Sequence, residues 1–190
     1  GPVEISGTGK FPAAVPKKFD FAAFFAGKAT LPHSFNSATQ FHIDLKFANG
    51  STLGVHHHYK SEDGKTNFGN GILLEGSKGR IFVNRGRISG APIENLTKAE
   101  QDGLNTAVTK LYKGKPLRGH MNNFFDCVED RSEPISDVFT HHRTMTSCHL
   151  CNITLMLGRP LRWDPEAQVF PGDEQANALM SRPMRSEYLS

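Results

Sequence analysis

The chain has 190 residues, 37% hydrophobic and 22% charged, a balance that fits one globular domain. Its formal net charge of +3 is mild, and its Lys and Arg residues (Lys17-Lys18, Arg80, Arg85, Arg87, Arg182, Arg185) are scattered among acids. A basic stripe for nucleic acid is therefore not expected, and no apolar run approaches the ~20 residues of a membrane helix.

Val3–Lys10 alternates weakly and predicts an opening strand. Residues 12–38 hold Pro12, Pro16 and Pro32 and read as irregular, with Phe19, Phe21, Phe24 and Phe25 pinning the loop to a core. Phe41, Ile43, Leu45 and Phe47 alternate with His42, Asp44 and Lys46, the period of a strand with one buried face. Asn49-Gly50 is a hairpin signal and predicts a type I′ turn. Thr52–Tyr59 then runs back, with Leu53, Val55, His57 and Tyr59 on one face. A polar loop over 61–67 leads to strands at 71–76 and 80–84, with 85–88 following.

The second half changes period. Ile93–Tyr112 predicts one helix. Leu117–Asp130 predicts a shorter one whose Met121, Phe124, Phe125 and Val128 share a stripe. Asp137 is placed to cap a long helix over Val138–Leu157, with Gly158 and Pro160 as stop signals. The tail, 161–190, carries Trp163 and a short helix near Asp173–Met180. Strands first and helices afterwards predict an α+β fold, an open and mainly antiparallel sheet with helices packed on one face. A single domain over 1–190 is expected.

Gly7-Thr8-Gly9 begins like a dinucleotide loop, but the third small residue of the fingerprint is replaced by Pro12 and no helix opens there. No G-x-x-x-x-G-K-[ST] loop and no G-x-S-x-G elbow is found. Cofactor binding by this chain is not expected. Cys148, Cys151 and His141 approach the spacing of a zinc box, yet a second cysteine pair is missing and Cys127 would have to come from another helix. Cysteines among Met145, Leu150, Ile153 and Leu155 fit small buried hydrophobes better, so no metal is assigned. The odd number of cysteines fits reduced thiols. His56-His57-His58 sits in a predicted strand, where successive side chains alternate faces and cannot all grip one ion. His141, His142 and Arg143 open the long helix. They combine proton-handling groups with a guanidinium able to hold an anion, which makes them the candidate substrate-facing residues.

Several stretches in order resemble the Gfo/Idh/MocA oxidoreductases, especially a bacterial branch. They are residues 1–12 (GPVEISGTGKFP), 44–50 (DLKFANG), 74–86 (LEGSKGRIFVNRG), 120–127 (HMNNFFDC) and 133–143 (EPISDVFTHHR). The likeness continues through 150–153, Gly158-Arg159-Pro160 and Trp163-Asp164-Pro165. The resemblance implies the C-terminal, substrate-side domain of a two-domain enzyme acting on a sugar- or cyclitol-like alcohol. NAD or NADP would be held by an N-terminal Rossmann domain, and the family's catalytic Lys and Asp/His pair match no position here. It further implies a homo-oligomer built through the sheet and, for the parent, a role in carbohydrate metabolism. This chain alone is expected to be inactive. A binding or assembly module of the same fold is the alternative. The chain opens at Gly1 rather than Met, so a cut or processed end is expected. The compartment is cytoplasmic by default, or exported if a signal lies upstream.

Overall fold

The computed structural model describes residues 1–61, 64–182 and 184. Part of the polar loop expected over 61–67, Arg185 and the end of the tail lie outside the described residues. In chain order the elements are β1 (Glu4–Lys10), α1 (Phe21–Phe25), β2 (Gln40–Lys46), β3 (Thr52–His56), β4 (Tyr59–Lys60) and β5 (Asn67–Phe68). There follow β6 (Ile72–Gly76), β7 (Gly79–Val83), β8 (Ile88–Ser89), α2 (Ala91–Glu94) and α3 (Lys98–Leu111). The chain ends with α4 (His120–Asp130), α5 (Val138–Leu157), β9 (Leu161–Arg162) and α6 (Glu174–Asn177). The fold is α+β with open antiparallel sheets, as the sequence predicts. Among the described residues no helix is long and apolar enough to cross a membrane. The contacts divide the chain into two compact units, Gly1–His58 with His142–Ser190, and Tyr59–His141.

The first unit holds the four-stranded antiparallel sheet β3-β2-β1-β9. The period-two pattern of β2 puts Ile43 and Leu45 in the core and leaves His42, Asp44 and Lys46 exposed. On β1, Ile5 is fully buried, while Glu4 pairs with Lys46 across the strands at 2.8 Å. One face of this sheet is covered by α5, whose Leu150, Ile153 and Leu155 join the same buried cluster. The tail closes the cluster with Leu161, Trp163, Phe170, Ala176 and Leu179. Each fully buried aliphatic or aromatic side chain of this kind contributes roughly 1.5–3 kcal/mol.

The aromatic segment docks as expected and adds one turn of helix. Asp20 caps α1 by accepting the Ala23 amide at 2.9 Å, and Phe21 is buried with Phe11 and Phe19 rings 5.4 and 5.1 Å away. At the C-terminal end of α5, Gly158 has φ +64°, and its amide returns to the Thr154 carbonyl at 2.9 Å. That left-handed stop suits glycine.

Four expectations are corrected. The β2–β3 hairpin is present, but its turn is not type I′, because of the two turn residues only Gly50 has positive φ (+85°). The Gly50 amide bonds the Phe47 carbonyl at 3.0 Å, giving a three-residue loop with glycine in the left-handed position. The strand predicted over Thr52–Tyr59 ends at His56, because the His57 ring takes over as partner of the Phe41 amide, 3.1 Å from Nδ1. Tyr59 instead pairs with Phe68. The strands form three sheets (β3-β2-β1-β9, β4-β5 and β6-β7-β8) rather than one. Finally, the helix predicted over Ile93–Tyr112 is split: Thr97 and Glu100 form a capping box that starts α3 afresh at Lys98.

The second unit contains the two smaller sheets with α2, α3 and α4. Its α4 begins after Gly119 (φ +89°) and stops at Arg131 (φ +59°). The described residues buried in this unit are Asn123 and Cys127, both on α4, while the stripe Met121, Phe124, Phe125, Val128 is exposed. Asn123 faces inward because its Oδ1 accepts the Ile135 amide at 2.9 Å, which anchors the segment before α5. Ion pairs of Arg118 with Asp126 (2.7 Å) and of Lys115 with Asp130 fasten the preceding loop to the same helix.

Candidate functional site

The start of α5 is built by Asp137. Its Oδ1 accepts the Thr140 amide at 2.8 Å and its Oδ2 the Thr140 hydroxyl at 2.7 Å, the N-cap read from the sequence. These bonds favour the ionised carboxylate and hold Asp137 below the usual carboxylate range. The helix then presents His141, His142 and Arg143 in succession, all exposed. Consecutive helical residues are about 100° apart, so the three side chains fan around the helix rather than converge.

Each has a different setting. His141 has its ring nitrogens 3.2 and 3.3 Å from the Ser136 hydroxyl, a residue in its own unit. His142 Nε2 lies 3.2 Å from Oε1 of Gln168, twenty-six residues further on. Arg143 offers its carbonyl to the Ser147 hydroxyl at 3.2 Å. Gln168 carries no sequence signal, because the contact is long-range and its left-handed backbone (φ +53°) is not announced by a glycine.

The other motifs have structural placements. Cys151 belongs to the buried cluster, and burial pushes its thiol up to about 11, aided by the neighbouring Cys148. Cys148 is exposed on the same helix and Cys127 is buried on α4. Among the described residues, no group of three or more His, Cys, Asp or Glu side chains is arranged to hold a metal ion. Gly7 and Gly9 lie in the middle of β1, not on a loop before a helix. A Cβ on Gly7 would stand 2.5 Å from the His42 carbonyl oxygen, and one on Gly9 would meet Leu155 at 3.0 Å. These glycines serve close packing of strand on strand and strand on helix, so they do not fit a phosphate cradle.

The uncovered face of the four-stranded sheet carries a second polar group. His42 Nε2 sits 3.2 Å from both oxygens of Asp44, and the His42 and His56 rings meet edge to face at 4.2 Å. Partial burial, then the neighbouring His42, lowers the His56 titration below the ordinary histidine value.

The family model described as "Oxidoreductase family, C-terminal alpha/beta domain", of the Gfo/Idh/MocA group, matches residues 29–190. This chain belongs to that family. Neither the curated proteins nor the solved structures give a match. Within this Gfo/Idh/MocA domain the match takes in β2 and β3, all of the second unit, the whole of α5 and the tail that delivers Gln168. Strand β1 precedes it, yet pairs with β2 from Glu4↔Lys46 to Lys10↔Gln40 and belongs to the same sheet.

Proposed function

We propose that this chain is the substrate-side domain of an NAD(P)-dependent oxidoreductase acting on a sugar- or cyclitol-like alcohol. The observation that carries the reading is the family match, whose span of residues 29–190 includes the α5 segment holding His141, His142 and Arg143. In this reading His142 supplies the substrate hydroxyl contact, His141 and Arg143 point to either side of it around the helix, and the nicotinamide is held by a preceding Rossmann domain. The glycines of β1 are committed to packing, so no chemical step is assigned to a dinucleotide on this chain. The exposed polar face of the four-stranded sheet, with His42, Asp44 and Lys46, is the surface through which a second copy pairs.

Calorimetric titration of NADH and NADPH into this chain tests the division of labour. The expected result is no saturable binding below about 1 mM, a weak-binding threshold. Micromolar affinity would overturn the domain assignment. Sedimentation tests the pairing surface: wild type is expected to self-associate, and Asp44→Lys to shift it toward monomer. A monomer at high concentration removes that part of the reading.

A further inference from the structure

We infer that Gln168 is a positioning residue for His142, fixing the rotation of its ring and the site of its proton. The inference rests on the proposed placement of His142 against substrate and deepens it.

Gln168 is delivered by a short, braced hairpin. The Asp164 amide bonds the Val169 carbonyl at 2.9 Å, and Asp164 Oδ1 accepts the amides of Glu166 and Ala167, each at 2.9 Å. On either side the chain is anchored in the core by Trp163 and Phe170, whose rings pack edge to face at 5.0 Å. The loop therefore has little freedom to swing Gln168 away. Its tip also bears a conformational cost, because Gln168 sits at φ +53°, where glycine or asparagine is the usual occupant.

The side chain raised by that strained backbone reaches His142, with Oε1 3.2 Å from Nε2. An amide oxygen only accepts, so the pairing keeps the proton on Nε2 and leaves Nδ1 with a lone pair. The ring is thereby prepared to accept a hydrogen bond from a substrate hydroxyl, the donor a sugar-like alcohol supplies. The residues one turn away on α5, Val138, Phe139, Met145 and Thr146, carry no charge that could perform this orientation. Thr146 is committed to the His142 carbonyl at 2.9 Å.

The test follows the His142 ring nitrogens by NMR in this chain, with His142→Ala used for assignment. Gln168→Gly relieves the backbone cost and removes the amide. The expected result is an unchanged or raised Tm, with the His142 ring signals moving toward those of a freely rotating histidine. Gln168→Glu keeps the length and adds a negative charge, and is expected to raise the His142 titration midpoint by about 0.5 pH or more. If the His142 signals and midpoint are the same in wild type and both variants, Gln168 does not position the ring and the inference falls. No substrate or cofactor enters this experiment, so that failure leaves the domain assignment standing. NADH binding to the chain would break the assignment without touching the Gln168–His142 contact.

Discussion

Gly7 and His42 approach so closely that a single methyl group on Gly7 would lie 2.5 Å from the His42 carbonyl oxygen and 2.8 Å from Cα of Ile43. Both obstacles are main chain of the central strand β2, which cannot rotate aside as a side chain can. The glycine pair of residues 7 and 9 therefore has a packing explanation that owes nothing to nucleotide.

Gly7→Ala is accordingly expected to destabilise the domain by about 1–3 kcal/mol, the range of overpacking in a well-filled interior. Gly9→Ala is expected to cost less, because its added methyl meets a side-chain methyl of Leu155 at 3.0 Å rather than main chain. Urea denaturation of the two variants checks the order. A Gly7→Ala protein as stable as wild type would contradict the close approach.

Arg159 grips Asp173 with two nitrogens, at 2.6 and 2.8 Å, and Asp173 also caps α6 through the Ala176 amide at 3.0 Å. The hydrogen bonds from Arg159 hold the Asp173 carboxyl below the usual carboxylate range. The stability this gives is complete above about pH 4, where the unfolded carboxyl is also ionised, and is lost as pH falls through the lowered folded value. Both groups remain partly exposed, so Arg159→Ala is expected to cost about 1 kcal/mol at pH 7 and less at 1 M salt. An equal cost at pH 7 and pH 2.5 would show that the pair is not its source.

Much of the first unit is legible in the sequence because its signals are local. The alternation of β2, the Asp137 cap and the Gly158 stop each depend on a few neighbouring residues, and each lies where expected. The misreadings have physical causes too. Asn49-Gly50 signals a turn, but its type is decided by the register of the strands it joins. The break before α3 was readable from Thr97 and Glu100, a capping box inside an apparently continuous periodicity. What the sequence cannot carry is contact across distance. His142 is evident as a candidate, but the side chain that holds it lies twenty-six positions away on a tip with no glycine to mark it.

The three cysteines should separate cleanly by reactivity. Cys148 is exposed, whereas Cys127 and Cys151 are buried, and burial pushes the Cys151 thiol up to about 11, where almost none is thiolate at neutral pH. Brief iodoacetamide treatment at pH 8 followed by peptide mass mapping should find label on Cys148 alone, with the other two reacting once the chain is unfolded. If Cys148 and Cys151 were protected together until a chelator was added, the packing account of this pair would fail and a shared ion would replace it.

His56 supplies a pH dependence of the opposite origin to an ion pair. Partial burial and the adjacent His42 ring lower its titration in the folded chain, while Asp44 works in the other direction and His57 adds a smaller lowering effect. As pH falls, the unfolded chain takes up the His56 proton first, at about pH 6.5. Stability should therefore be complete above that value and decline below it until folded His56 itself titrates. Urea midpoints between pH 8 and pH 5 read this slope, and His56→Asn should flatten part of it. The same slope in wild type and His56→Asn would place the responsible proton elsewhere. Because the His42–His56 contact of 4.2 Å lies on the exposed sheet face, protonation there also adds charge to the surface proposed to meet a second copy. Self-association is thus expected to weaken only where folded His56 itself takes up its proton, below the pH at which stability begins to fall, and sedimentation over a series from pH 7.5 downward compares the two directly.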